Sequence, residues 1–172
     1  GKILRGLKKP TTHVEGEGMF GYVTDLLPGP QFSSFEAHRT GVMPVNYGFA
    51  CLTGEELNPE GLCGDSGTPL WWDADDYKEI LSATPDPDPS DHHRQLIGEL
   101  GIHKYKQQPM QHISGSVLLI ADVLGDWREE IIANDKGGNG RMQGLRIYTT
   151  DIFATTRRSW LMSDHHYAMD VA

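Results

Sequence analysis

Apolar positions along the chain come in short pieces rather than long periodic stretches. Val117-Leu-Leu-Ile120 and Ile131-Ile132 are continuous runs, and Met19-Phe-Gly-Tyr-Val23 and Tyr47-Gly-Phe-Ala-Cys-Leu52 are broken by glycine. Leu145-Arg-Ile-Tyr-Thr-Thr150 alternates apolar and polar residues, the signature of a half-buried strand. Turn words separate these pieces: Thr40-Gly, Asn46-Tyr-Gly, Thr53-Gly, Asn58-Pro-Glu-Gly and Gly64-Asp-Ser-Gly. Residues 84–93 read as an acidic, proline-rich surface loop, and residues 95–100 as a short strand or one helical turn. Gly137-Gly-Asn-Gly140 is a hairpin or loop signal and lacks the Lys-Ser/Thr ending of a phosphate loop. No long amphipathic helix is present, so the pattern predicts an all-β fold.

The most informative polar stretch joins the two continuous apolar runs. In Asp122-Val-Leu-Gly-Asp126-Trp-Arg-Glu-Glu130, carboxylates occupy positions 1, 5 and 9, with Gly125 where the backbone must turn. Hard cations take several oxygen ligands, mixing carboxylates with backbone carbonyls, and such a loop can supply them. The plainer alternative is a polar turn with a solvated acidic rim. The loop recurs upstream: Trp71-Trp-Asp73-Ala-Asp75-Asp-Tyr-Lys-Glu79 keeps the Asp-to-Glu step of four and is again followed by Ile and Leu. A third copy, with an insertion, runs from Asp25 through Pro28-Gly29 to Glu36. Glu36, Glu79 and Glu130 lie 43 and 51 residues apart, which is the spacing of propeller blades.

Other polar clusters carry less. His13, Glu15 and Glu17 alternate and would share one face of a strand, either as a ligand row or as a solvated edge. His92 and His93 are adjacent on a loop, where side chains point apart. His103, Lys104, Tyr105 and Lys106 form a mid-chain basic group that also reads as a solvated turn.

Charge and cysteines narrow the class. The 172 residues suit one domain, and a net charge of −9 argues against a nucleic-acid partner, which needs a basic face. No stretch approaches the roughly 18 apolar residues of a membrane helix. Residues 1–9 are basic but have no apolar core, so they do not read as a signal peptide. Cys51 and Cys63 enclose a loop rich in Gly, Glu and Pro; a local disulfide of an exported protein is expected there, with two free thiols as the alternative.

Ala121-Asp-Val-Leu-Gly-Asp-Trp-Arg-Glu-Glu-Ile-Ile132, followed by Leu145-Arg-Ile-Tyr-Thr-Thr150, Arg157, Leu161-Met162, Asp164 and Tyr167, resembles the C-terminal part of the rhamnogalacturonan lyases of polysaccharide lyase family 11. The earlier repeats look like preceding blades of the same domain. The resemblance implies a secreted or periplasmic, eight-bladed, calcium-binding β-propeller that cleaves pectic rhamnogalacturonan by β-elimination. At about 45 residues per blade, residues 1–172 would form three to four blades of one catalytic domain, completed by the remainder of the propeller. The implied calcium ligands are Asp122, Leu124, Asp126 and Glu130; Asp73, Asp75 and Glu79; Asp25 and Glu36; and His13 and Glu15.

β-Elimination needs a neutralised uronate carboxylate, a base for the C5 proton and an acid for the leaving oxygen. By resemblance Lys104 is the expected base, which requires a lowered pKa. Tyr167 is expected to contact substrate or donate a proton, and Arg157 to bind a carboxylate or brace the loop. Ser163 and Ala168 stand where the family often has His and typically has Arg, which would suit a rhamnose–glucuronate polymer from gum or algae instead. The alternative of a different class is a non-catalytic, calcium-stapled glycan-binding module.

Overall fold

The computed structural model describes residues 1–2, 18–35, 46–57, 67–83, 97–136 and 142–172. Within them, strands β1 (Gly18–Gly21), β2 (Gln31–Phe35) and β3 (Asn46–Ala50) form a three-stranded sheet. Strands β4 (Thr68–Leu70), β5 (Glu79–Ala83), β6 (Ile97–His103), β7 (Gln111–Ala121), β8 (Glu130–Lys136) and β9 (Met142–Tyr148) form a second, six-stranded sheet. Every pairing is antiparallel and between consecutive strands, the topology that short strands joined by tight turns produce. Among the described residues helix is confined to a 3₁₀ turn, Leu161–Ser163, and to α1 (His165–Val171), whose first turn is capped by the Asp164 carboxylate accepting the Tyr167 amide. The all-β expectation holds. Among the described residues neither sheet closes into a barrel or a propeller.

The six-stranded sheet is two units that share β7. Residues 111–116 of that strand pair with β6, and residues 116–121 pair with β8. At the handover Gly115 adopts φ +120°, and a bulge falls between Val117 and Leu119. A side chain at position 115 would place its Cβ 2.3 Å from the Asn134 carbonyl oxygen, so only glycine lets the two strands approach there.

Alternation then decides burial. Leu70, Trp72, Leu81, Leu100, Ile102, Ile113 and Ile131 make one core, with Leu81 opposite Ile102 and Leu100 opposite Ile113 across the pleat. Ile80, one residue out of phase with Leu81, points the other way and packs with Val23, Leu57 and Tyr105, which ties the small sheet to the large one. The Lys78 amide donates to the Tyr22 carbonyl across the same junction (2.7 Å). Cys51 is a free, half-buried thiol; Cys63, its expected partner, lies outside the described residues.

Candidate functional site

The β4–β5 loop is built around the first residue of its outgoing strand. Glu79 is fully buried, and its Oε2 accepts the amides of Trp72 (2.9 Å) and Asp73 (3.1 Å). Asp73 Oδ1 accepts the Asp75 amide and Asp75 Oδ1 the Tyr77 amide, both at 2.8 Å. These bonds fold the loop back on itself and leave the second oxygen of each carboxylate directed inward. Asp73, Asp75 and Glu79 thus offer three oxygens within 4.8 Å of one another, the one such trio among the described residues. The Lys104 ammonium reaches in from the end of β6, 2.7 Å from Asp73 Oδ2, 3.5 Å from Glu79 Oε1 and in close contact with Asp75 Oδ2. Glu79 Oε1 is buried and has no hydrogen-bond partner.

The electrostatics follow from that packing. Burial pushes the Glu79 carboxyl up to about 7, against the pull of its two amide bonds and of Lys104. Burial pulls the Lys104 amine down, but its bonds to Asp73 and Asp75 and the charge of Glu79 outweigh this and hold it above the usual lysine range. A general base needs the opposite.

The β7–β8 loop repeats the scheme 51 residues later. Glu130, the first residue of β8, accepts the amides of Val123 and Leu124 on one oxygen, both at 3.0 Å. Asp126 Oδ1 accepts the Arg128 amide (3.1 Å), as Asp75 does for Tyr77. The differences decide its chemistry. Position 124 is leucine where the earlier loop has Asp73. Asp122 Oδ1 accepts the Gly125 amide (2.8 Å), and its Oδ2 accepts the amides of Trp127 (3.1 Å) and Leu161 (2.9 Å). Gly125 takes φ +81°, the turn conformation expected of it. Asp126 pairs its other oxygen with the Arg128 guanidinium, and Glu130 Oε1 faces the Thr149 hydroxyl at 3.4 Å. These carboxylates tie down their own loop and the 149–161 segment.

A third loop of this design sits in the small sheet, and the residue that closes it among the described residues is Gln31. Gln31 is the first residue of β2 and is fully buried; its Oε1 accepts the amides of Val23 (2.9 Å) and Thr24 (3.2 Å). Its Nε2 donates to the carbonyls of Thr24 (3.3 Å), Leu27 (3.1 Å) and Gly29 (2.6 Å). A neutral amide therefore does inside this loop what a cation would do. Asp25 is exposed in the same loop, while His13, Glu15 and Glu36 lie outside the described residues.

Of the expected catalytic residues, Tyr167 is the most constrained. Its hydroxyl accepts the Asp122 amide (3.0 Å) and donates to Glu129 Oε1 (2.7 Å), and burial together with the Glu129 carboxylate raises the phenol above its usual range. Arg157 is exposed. The sequence reading passed over Glu129, which is buried and joins the two carboxylate loops: its Oε2 accepts the Trp71 amide (2.8 Å) and its own amide donates to the Trp71 carbonyl (2.7 Å). It also passed over Arg158, which lies over the rings of Trp71 and Trp127. The adjacent Glu129-Glu130 and Arg157-Arg158 pairs held both signals, but only a register along the backbone separates members of such pairs.

The profile of the family described as "Rhamnogalacturonan lyase family 11, C-terminal domain" matches residues 3–172. Among curated proteins, the chain is 27% identical over 186 residues to the rhamnogalacturonan exolyase YesX of Bacillus subtilis (strain 168), covering 100% of the chain and 28% of that protein. It is 28% identical over 134 residues to the rhamnogalacturonan endolyase YesW of the same organism, covering 69% of the chain and 19% of that protein. The chain thus spans less than a third of the length of either relative. No solved structure matches it.

Proposed function

This chain belongs to rhamnogalacturonan lyase family 11, as its C-terminal domain, and on that premise we propose that it is part of a propeller-shaped polysaccharide lyase. In this reading the whole protein cleaves rhamnogalacturonan-type pectin by β-elimination at a uronate, outside the cell or in a periplasm. The observation that carries it is the family match across residues 3–172. The recurrence of one loop design at Gln31, Glu79 and Glu130, 48 and 51 residues apart, supports blades as the repeating unit. The passage of β7 from one set of partners to the next at Gly115 is what a strand shared by neighbouring blades requires.

We assign a calcium site to Asp73, Asp75 and Glu79. The donor set is all carboxylate oxygen, Glu79 Oε1 is buried without a hydrogen-bond partner, and a cationic group, Lys104, already faces all three. Bound there, calcium supplies positive charge that braces the loop and favours a nearby uronate carboxylate. Lys104 acts as counter-ion to the trio. Tyr167, with both hydrogen-bonding functions of its hydroxyl in use, fixes α1 and Glu129 against the Asp122 loop.

Ultraviolet absorbance of unsaturated uronate tests the reading, with the purified protein acting on rhamnogalacturonan in calcium and then in chelator. A calcium-dependent rise is expected; release of saturated sugars alone would sink the lyase assignment. The engagement of Lys104 and Tyr167 within the fold favours one second reading, in which this domain holds calcium to staple its loops and takes no part in proton transfer. Loss of unsaturated product in chelator, with unchanged turnover in variants of both residues, is its signature.

A further inference from the structure

We infer that Arg158 is the group that binds the carboxylate of an acidic sugar, held for that task against Trp71 and Trp127. The inference rests on the reading that the substrate polymer carries uronates, and it names the contact that reading lacks.

The Arg158 guanidinium carbon lies 4.1 Å from the Trp71 ring centre and 4.9 Å from that of Trp127. The two rings meet edge to face, 6.0 Å apart at 72°. Stacking against aromatic faces leaves the in-plane N–H groups of a guanidinium free to grip a planar carboxylate. Trp127 reaches this position at a cost: it has φ +73°, in the left-handed region that bulky residues avoid. The strain is held in place by its amide bond to Asp122 and by its indole N–H donating to the Thr156 carbonyl (3.0 Å).

Charge completes the argument. Lys78 Nζ sits 5.2 Å from the centre of the same Trp71 ring, a second cation near Arg158, although burial pulls its amine down. The nearby Glu129 carboxylate accepts the Trp71 amide and the Tyr167 hydroxyl, and its charge offsets that of Lys78 and leaves Arg158 to its own partner. Arg158 is paired instead with Asp76, whose side chain is 70% exposed while the Arg158 side chain is 28% exposed. An exposed surface pair is weak, so an incoming carboxylate can displace Asp76.

The test is tryptophan fluorescence of the purified protein, titrated with D-galacturonate, its methyl ester and D-galactose. Galacturonate is expected to bind at least about tenfold more tightly than either neutral sugar, the scale of one charge-assisted pair. Asp76→Asn, at an exposed position that leaves the core untouched, should tighten galacturonate binding several-fold. Arg158→Lys, with an unchanged circular dichroism spectrum, should weaken it roughly tenfold because a point charge cannot replace the fork. Equal binding of galacturonate and galactose, or an unchanged constant in Asp76→Asn, would overturn the inference. Pectin cleavage with parental KM in Arg158→Lys also removes Arg158 while leaving the lyase reading intact. Galacturonate binding without any unsaturated product from the parent leaves Arg158 standing and removes the lyase.

Discussion

Gln31 and Glu79 occupy the same place in successive loops. Each opens a strand, is fully buried and accepts two consecutive backbone amides from the far side of its loop on one side-chain oxygen. They differ in the second atom of the side chain. Gln31 places an NH₂ group that donates to three loop carbonyls, whereas Glu79 places a bare oxygen beside Asp73, Asp75 and Lys104. One loop is closed by its own amide; the other needs a positive charge.

Gln31→Glu should convert the first loop to the second kind. The new carboxylate would face the carbonyls of Thr24, Leu27 and Gly29, which can accept but not donate. Leaving such groups unpaired in a buried site costs about 2–4 kcal/mol, so thermal unfolding in chelator should move to markedly lower temperature. Calcium should recover part of the loss. A melting temperature equal to the parent's in chelator would refute the equivalence of the two loops.

Glu79 makes stability depend on pH in a particular direction. Its carboxyl is raised to about 7 in the folded protein, from an ordinary value near 4.5. The folded state therefore holds the proton more tightly, and the associated stability is complete below pH 4.5 and is lost as pH rises through 7. The fully buried group sets a scale of about 3 kcal/mol. Denaturant unfolding in chelator should show stability falling across that window and Glu79→Gln flattening it. With calcium present the slope should reverse, since the cation prefers the ionised carboxylate. The same slope with calcium and with chelator would remove Glu79 from the ligand set.

How much of this was legible in the sequence varies with the kind of signal. Strand-forming pieces and the two acidic loops were, because period-two alternation and turn residues are local. The Asp-to-Glu step of four correctly paired Asp75-Glu79 with Asp126-Glu130. Gln31 was not legible as a member of the set, because it does with a neutral amide the backbone work that Glu79 and Glu130 do with a carboxylate; the expected Glu36 lies outside the described residues. Asp122 and Tyr167 were singled out for metal and substrate, yet their bonds go to Gly125, Trp127, Leu161 and Glu129; sequence spacing cannot tell an oxygen that accepts amides from one left for a ligand. The raised amine of Lys104 was not legible, because the three carboxylates around it come from a different strand pair.

Lys104→Met separates a base from a counter-ion. In the counter-ion role, the substitution removes the positive charge from three clustered carboxylates, so the protein in chelator should lose stability, on the order of 2 kcal/mol. Calcium binding measured by calorimetry should tighten by about tenfold, since the cation no longer competes with a tethered ammonium. Turnover at saturating calcium should stay near that of the parent. A fall in turnover of two or more orders of magnitude, the scale of a lost general base, would restore Lys104 to catalysis.

Tyr167→Phe tests the brace between α1 and the Asp122 loop. The phenol hydroxyl satisfies two groups at once, the Asp122 amide and Glu129 Oε1, and removing it leaves both without that partner near the core. Each unpaired group costs about 1–3 kcal/mol, so a combined loss of about 2–4 kcal/mol is expected, and hydrogen exchange should speed at the amides of Asp122 and Leu161. Because burial and Glu129 hold the phenol above its ordinary value, the parent should show no loss of this contact on titration through the usual tyrosine range. If Tyr167→Phe keeps parental stability and exchange rates but loses uronate release, the hydroxyl acts on substrate. If both fall together in proportion to the unfolded fraction, it acts by holding Glu129, and with it Trp71, where the two loops meet.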